Sequence, residues 1–179
     1  MFNFRDIEIV GIDVDGCITD GKYYIGPNSI MKSFYTRDFH ALMCAITSGI
    51  KVVFITKSAD ECIKEQVKRL TTYSRIWNNA YISGYIDLII NSENKLEDMC
   101  KYLKIDNIIK DERIKKLAYV GDADNDLECM QVAGFTACPS DAMSIIKEES
   151  NFISNYPGGN GAIEEIINYI LEKRTQTNG

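Results

Sequence analysis

The stretch Ile7-Glu8-Ile9-Val10-Gly11-Ile12-Asp13-Val14-Asp15-Gly16 decides how this chain folds. Ile7 to Ile12 is a short apolar run rich in β-branched residues, and it ends at an acidic turn, the pattern of a buried strand. Lys51–Ile55 and Leu117–Val120 repeat that pattern, and each is followed at once by polar residues: Thr56-Lys57-Ser58 after one, Gly121-Asp122-Ala123-Asp124-Asn125-Asp126 after the other. Apolar residues recur at helical spacing between and after these runs. One set is Phe39, Leu42, Met43 and Ile46, stopped by Gly49; others are Ile63 with Val67, Leu96 with Met99, Cys100 and Leu103, and Leu127 with Met130. Ile163, Ile166, Ile167, Ile170 and Leu171 mark the last helix. Strands alternating with helices predict an α/β fold, a Rossmann-like doubly wound parallel sheet with helices on both faces. Lys22–Ile25 and Ile30–Phe34 flank Gly26-Pro27-Asn28-Ser29, which predicts an inserted β-hairpin. The charged stretch Asp106–Lys116 reads as a solvated loop. Residues 1–173 are expected to form a single domain and 174–179 a flexible tail.

Composition narrows the function. The 179 residues carry 20 Lys+Arg against 26 Asp+Glu, a formal charge of −6, which argues against a general nucleic-acid binder. With 45% hydrophobic residues, 3 Pro and 12 Gly, the chain is globular and long enough to bury a core without a disulfide or metal staple. His40 is the single histidine, so no multi-histidine metal site exists within one chain. None of the six cysteines forms a CxxC pair, and six reduced thiols suggest a cytoplasmic protein. The opening residues show no signal-peptide pattern, and no apolar run approaches the roughly 18 residues of a membrane span. Carboxylates are therefore the reactive groups to follow.

Ligands bind outside the carboxyl ends of strands in open parallel sheets. Three strand ends here carry Asp13 and Asp15, Thr56, and Asp122 through Asp126, while Lys95 lies near the start of a predicted helix. A crevice that gathers Asp13, Asp15, Asp122 and Asp126 is costly unless a cation neutralises it. Oxygen ligands of this kind suit Mg²⁺ rather than zinc or copper. A phosphate can then approach if the metal, Lys95 and the helix start at Thr56 offset the repulsion. The residue set fits phosphoryl transfer.

Asp13-Val14-Asp15-Gly16, Thr56, Lys95 and Gly121-Asp122 through Asp126 resemble the four motifs of the haloacid dehalogenase superfamily of phosphatases. Thr19-Asp20-Gly21, the hairpin, Arg37-Asp38, Ala118-Tyr119-Val120-Gly121-Asp122 and Gly158-Gly159-Asn160-Gly161-Ala162 resemble one small capless subfamily within it. That subfamily holds 3-deoxy-D-manno-octulosonate-8-phosphate phosphatases, nonulosonate-9-phosphate phosphatases and domains attached to sialic-acid cytidylyltransferases. The similarity covers residues 6 to 172. It implies Asp13 as nucleophile and Asp15 as acid/base, with Mg²⁺ held by Asp13, the Asp15 carbonyl and Asp122, and its shell oriented by Asp126. It implies Thr56 and Lys95 on the phosphoryl group, with Lys57 beside them and Arg37 and His40 as weaker substrate candidates. The sequence departs from the subfamily at Phe39-His40, Lys57-Ser58 and Asn94, where Gly, Gly-Arg and Asp are usual. About forty residues separate Asp15 from Thr56, and about forty separate Thr56 from Lys95. Predicted elements already fill both intervals, so no separate cap domain is expected. The subfamily is tetrameric with the hairpin at its interface, which implies a homotetramer. The expectation is a phosphatase acting on a small phosphate ester, a ulosonic or nonulosonic acid phosphate first. The alternatives are a nucleotide or other sugar phosphatase, a non-catalytic tetramerisation module, or a phospho-receiver domain.

Overall fold

The computed structural model describes residues 3–59, 61–73, 84–108 and 110–176. Its centre is β1 (Ile9–Asp13), buried from Val10 onward because it is covered on both faces. β4 (Lys51–Ile55) lies parallel on one side and β6 (Leu117–Val120) on the other. β5 (Ile86–Ile89) extends the sheet beyond β4, while β7 (Phe135–Cys138) and β8 (Phe152–Ile153) extend it beyond β6. The six strands are all parallel, in the order β5-β4-β1-β6-β7-β8. Numbered by their sequence within this sheet, they run 3-2-1-4-5-6, the doubly wound order whose direction reverses beside β1.

Alternate residues of each strand face opposite cores. Val10, Ile12, Val52, Phe54 and Val120 pack under α1 (Thr36–Thr47), Ile63 of α2 (Glu61–Tyr73) and the isoleucines of α6 (Ala162–Gln176). Val53, Ile55, Leu117 and Tyr119 pack under α3 (Lys95–Leu103), α4 (Leu127–Val132) and α5 (Ser144–Glu148). The expected fold class is observed, with helices on both faces.

β2 (Tyr24–Gly26) and β3 (Ser29–Met31) form the expected hairpin as a separate two-stranded sheet. Among the described residues, the intervals from Asp15 to Thr56 and from Thr56 to Lys95 hold the rest of the turn Val14–Ile18, this hairpin, α1, β4, α2 and β5. Two expectations need correction. Asp106–Lys116 is not all solvated loop, because Glu112–Lys116 makes a 3₁₀ turn that buries Ile114, and Arg113 caps the end of α3 by donating to the carbonyls of Leu103 and Lys104. The tail does not begin at Arg174, since α6 continues through Gln176. Arg174 donates to the Ile7 carbonyl at 2.6 Å, which ties that turn to the start of β1.

Candidate active site

The strand register assembles the site. Asp13, the last residue of β1, lies level with Ile55 of β4, so Thr56 begins just beside it. Ile12 pairs with Val120, which brings the loop starting at Gly121 to the other side. Asp13, Asp15, Thr56, Lys57 and Asp122 line one cavity of about 390 Å³, together with Tyr23, Ser58 and Asn125.

Below the cavity lies a buried polar cluster. Lys95, the first residue of α3, is 3% exposed, and its Nζ stands 2.6 Å from Asp13 Oδ1 and 2.8 Å from Asp126 Oδ1. It arrives there because β5 pairs with β4, the Thr56 amide donates to the Ile89 carbonyl, and the Asn94 side chain then caps α3 by accepting from the Glu97 amide. The Tyr119 hydroxyl also donates to Asp126 Oδ1, and the amides of Asp122 and Ala123 donate to Asp126 Oδ2. Asp126 thus ties the acidic loop to the floor. Lys95 clamps the Asp13 carboxylate from below rather than facing the open cavity.

The charges of this floor do not balance, because three carboxylates face one ammonium. Burial, reinforced by Asp126 and Asp122, pushes the Asp13 carboxyl well above its usual range despite Lys95. Burial also pushes Asp122 up, to about 6. Lys95 is raised too: burial opposes its charge, and the fields of Asp13 and Asp126 outweigh that penalty.

Asp122 Oδ1 is buried with no hydrogen-bond partner, and the donor atoms of Asp13, Cys17 and Asp122 lie within 4.8 Å of one another. An orphaned buried carboxylate oxygen beside a second carboxylate is a good fit to a divalent cation with oxygen ligands. Cys17 is a poor hard-metal ligand, since burial and the surrounding carboxylates hold its thiol well above the usual range. The backbone leaves room for this arrangement at Gly16. Its φ of +90° favours glycine, and a Cβ there would lie 2.1 Å from Asp122 Oδ2.

Asp15 sits higher, 28% exposed, in the turn Val14–Ile18. Its Oδ1 lies 2.6 Å from Lys32 Nζ and 3.3 Å from the Thr19 hydroxyl. The turn is held from behind by the glycine-rich segment. The Gly159 amide donates to the Cys17 carbonyl, and a Cβ at Gly158 would lie 1.8 Å from the Gly16 carbonyl oxygen. The motif Gly158-Gly159 is thus a docking surface for the loop that carries Asp15.

The remaining candidates are dispersed. The Thr56 hydroxyl accepts from the Ser58 amide, opening the polar turn at the cavity wall. Lys57 is 63% exposed and pairs with Glu93 at 3.1 Å on the rim. Arg37 and His40 do not join the site: Arg37, in the first turn of α1, donates to Glu164 at the start of α6 and lines a second groove with Tyr35, Tyr156 and Asn160. His40 is exposed on α1. The packing of α1 against α6 is the reason, since it turns that end of α1 toward Glu164. Lys32 and Tyr23 carry no signal in the sequence, and Tyr119 enters it only as part of the Ala118–Asp122 motif, with no role of its own. A lysine on the return arm of a hairpin reads as solvated, and Tyr119 lies in an all-buried strand with no polar alternation to flag it.

Residues 12–167 match the family described as haloacid dehalogenase-like hydrolase. The chain belongs to that family. It is 27% identical over 175 residues to a 3-deoxy-D-manno-octulosonate 8-phosphate phosphatase of Salmonella typhi, covering 96% of this chain and 82% of that protein. Among solved structures it is similar to the enzyme of that name from Yersinia pestis, with a TM-score of 0.79 at 24% identity over 98% of this chain and 86% of that one. It is also similar to the Moraxella catarrhalis enzyme in complex with magnesium ion, phosphate ion and KDO, with a TM-score of 0.77 at 26% identity over 96% and 90% of the two chains. The parallel six-stranded sheet with helices on both faces accords with that membership. No helix among the described residues is long and apolar enough to cross a membrane.

Proposed function

We propose that the chain is a Mg²⁺-dependent phosphomonoesterase of small phosphorylated sugar acids, with a 3-deoxy-octulosonate 8-phosphate as the first candidate substrate. The observation that carries this reading is the pair of carboxylates at the end of β1, one buried and clamped at 5% exposure, the other braced at the cavity wall. Asp13 is then the nucleophile. Its oxygen bonds to phosphorus as the ester P–O bond breaks, and Asp15 gives its proton to the departing oxygen, so the alcohol leaves and an aspartyl-phosphate remains on Asp13. Asp15, now a carboxylate, takes a proton from water as the water oxygen attacks phosphorus, freeing phosphate and Asp13.

Lys95 holds Asp13 in line throughout, Thr56 and the amides of its turn receive phosphoryl oxygens, and Asp126 fixes the loop of Asp122. Asp13, Asp122 and the Asp15 carbonyl would hold Mg²⁺, which when bound supplies charge to match the phosphoryl oxygens. The magnesium, phosphate and KDO bound by the similar Moraxella enzyme support the choice of metal and of substrate class. The acidic floor also speaks against a purely structural module, because burying it costs stability that a scaffold has no reason to bear. A receiver domain has no use for an acid/base two residues after its phosphorylated aspartate.

A homotetramer is part of the proposal. The hairpin exposes Tyr24, Ile25, Ile30 and Met31, with Ile25 78% exposed, and a neighbouring copy seated there would cover both this patch and the open cavity. Lys57-Ser58 at the rim gives the substrate's distal end a point charge rather than a bidentate fork.

Phosphate release from sugar-acid phosphates, hexose phosphates and nucleotides, with Mg²⁺ and with EDTA, tests the reading. Metal-dependent release concentrated on one ulosonate phosphate is expected. Release concentrated on nucleotides overturns the substrate class, and release from no ester overturns the enzyme.

A further inference from the structure

Lys32 follows β3 on the return arm of the hairpin, yet its side chain is only 1% exposed. An ammonium so far from water needs a compensating partner. Its Nζ stands 2.6 Å from Asp15 Oδ1 and 4.6 Å from the centre of the Tyr23 ring, and Tyr23 itself lines the cavity. The Thr19 hydroxyl, 3.3 Å away, lies against the same Oδ1. Both contacts therefore fall on one oxygen of Asp15, a residue that lines the cavity. Oδ2 is the oxygen left to act there.

We infer that Lys32 is the positioning residue for the Asp15 acid, holding Oδ1 against the wall so that Oδ2 is the oxygen presented to the leaving group. This rests on the phosphomonoesterase reading and deepens it. In the transfer step the Asp13–phosphorus bond forms, the phosphorus–ester oxygen bond breaks, and the Oδ2 proton moves to that oxygen. An alkoxide needs that proton, whereas a nitrophenolate leaves without it. The same contact links the hairpin to the chemistry: its outer face is exposed, and its inner end braces the catalytic turn.

The test compares kcat/KM for an alkyl phosphate and for p-nitrophenyl phosphate, because that ratio reports events only up to formation of the aspartyl-phosphate. Lys32→Met is expected to lower the alkyl value at least about tenfold through kcat, with KM little changed, and the aryl value less than about threefold. Lys32→Gln, which keeps a donor, is expected to recover part of the alkyl rate. In an Asp15→Asn background, Lys32→Met is expected to cost nothing further. Equal losses on both esters, or an undiminished loss in the Asp15→Asn background, overturn the inference. So does failure of both Lys32 variants to fold by circular dichroism, which makes the lysine a structural brace. If the wild-type protein with Mg²⁺ hydrolyses neither ester, it is the phosphatase reading that fails instead.

Discussion

Asp13 and Asp15 are two residues apart, yet they belong to regions built on opposite principles. Asp13 stands on the floor, 5% exposed, where Lys95, Asp126 and Tyr119 form one buried network anchored in β1, β6 and α3. Asp15 stands on the wall, 28% exposed, where a lysine from the hairpin reaches it across seventeen residues of sequence. The proposed nucleophile must not move, and the buried network of Lys95, Asp126 and Tyr119 provides that. An acid/base must trade protons with substrate and water, so it sits where both can reach it. The floor also carries excess negative charge, and that excess gives a cation its place.

Breaking the floor is expected to have the larger consequences. Lys95→Met leaves Asp13 and Asp126 buried without their common partner. Loss of activity and of about 3–5 kcal/mol of stability in urea unfolding is expected, a typical cost of removing one member of a buried ion pair. A loss near that of an exposed pair, about 1 kcal/mol or less, would place Lys95 in solvent instead.

Metal binding sharpens the same point. Mg²⁺ is expected to raise the melting temperature, by about 3 kcal/mol of stability at a hundredfold excess over Kd, and EDTA to reverse it. Asp122→Asn should raise the melting temperature of the metal-free protein by relieving repulsion, and should lose most of the increment from Mg²⁺. A metal-free Asp122→Asn protein that melts lower would contradict the charge imbalance read from the floor.

Asp38 separates the cost of burial from catalysis. It lies on α1 away from the cavity, caps α6 by accepting from the Glu164 amide, and keeps Oδ2 buried without a partner. Burial raises its carboxyl to about 6, against backbone donors from Glu164 and Gly161. A carboxyl raised on folding stabilises at low pH, and its contribution is lost as pH rises through about 6. Asp38→Asn, which mimics the neutral form, should therefore be favoured over the wild type at pH 8, and the difference should shrink by pH 5. Thermal melts across that range check the sign. The smallest effect belongs to the rim: Lys57→Ala should raise KM a few-fold and change stability by less than about 1 kcal/mol, since its pairing with Glu93 is exposed.

The floor was largely legible in the sequence because strand-end motifs are local: an apolar run fixes the strand, and the residue after it falls at the sheet's edge. Asp13, Thr56 and Asp122 are placed at strand ends by this pattern alone. Lys95 was placed by motif, but not as a buried clamp, because β5 (Ile86–Ile89) is half buried and lacks the unbroken apolar run of β4. β7 and β8 escaped for a similar reason: Phe135–Cys138 mixes Thr and Ala into a four-residue strand, and Phe152–Ile153 is only two residues long. The wall was not legible, since Lys32 reaches Asp15 through the hairpin's orientation rather than through spacing. Arg37 lies outside the cavity because helix packing, not its neighbours in sequence, decides which way it points.

Asp13 is the residue on which the proposed chemistry turns. Acid-quenching the Mg²⁺-loaded enzyme during turnover of its best substrate, followed by peptide mapping, locates any phosphoryl group. A phosphoryl group on Asp13, absent together with turnover in Asp13→Asn, is the predicted result. Phosphoryl transfer to another residue, or full turnover by Asp13→Asn, would contradict it.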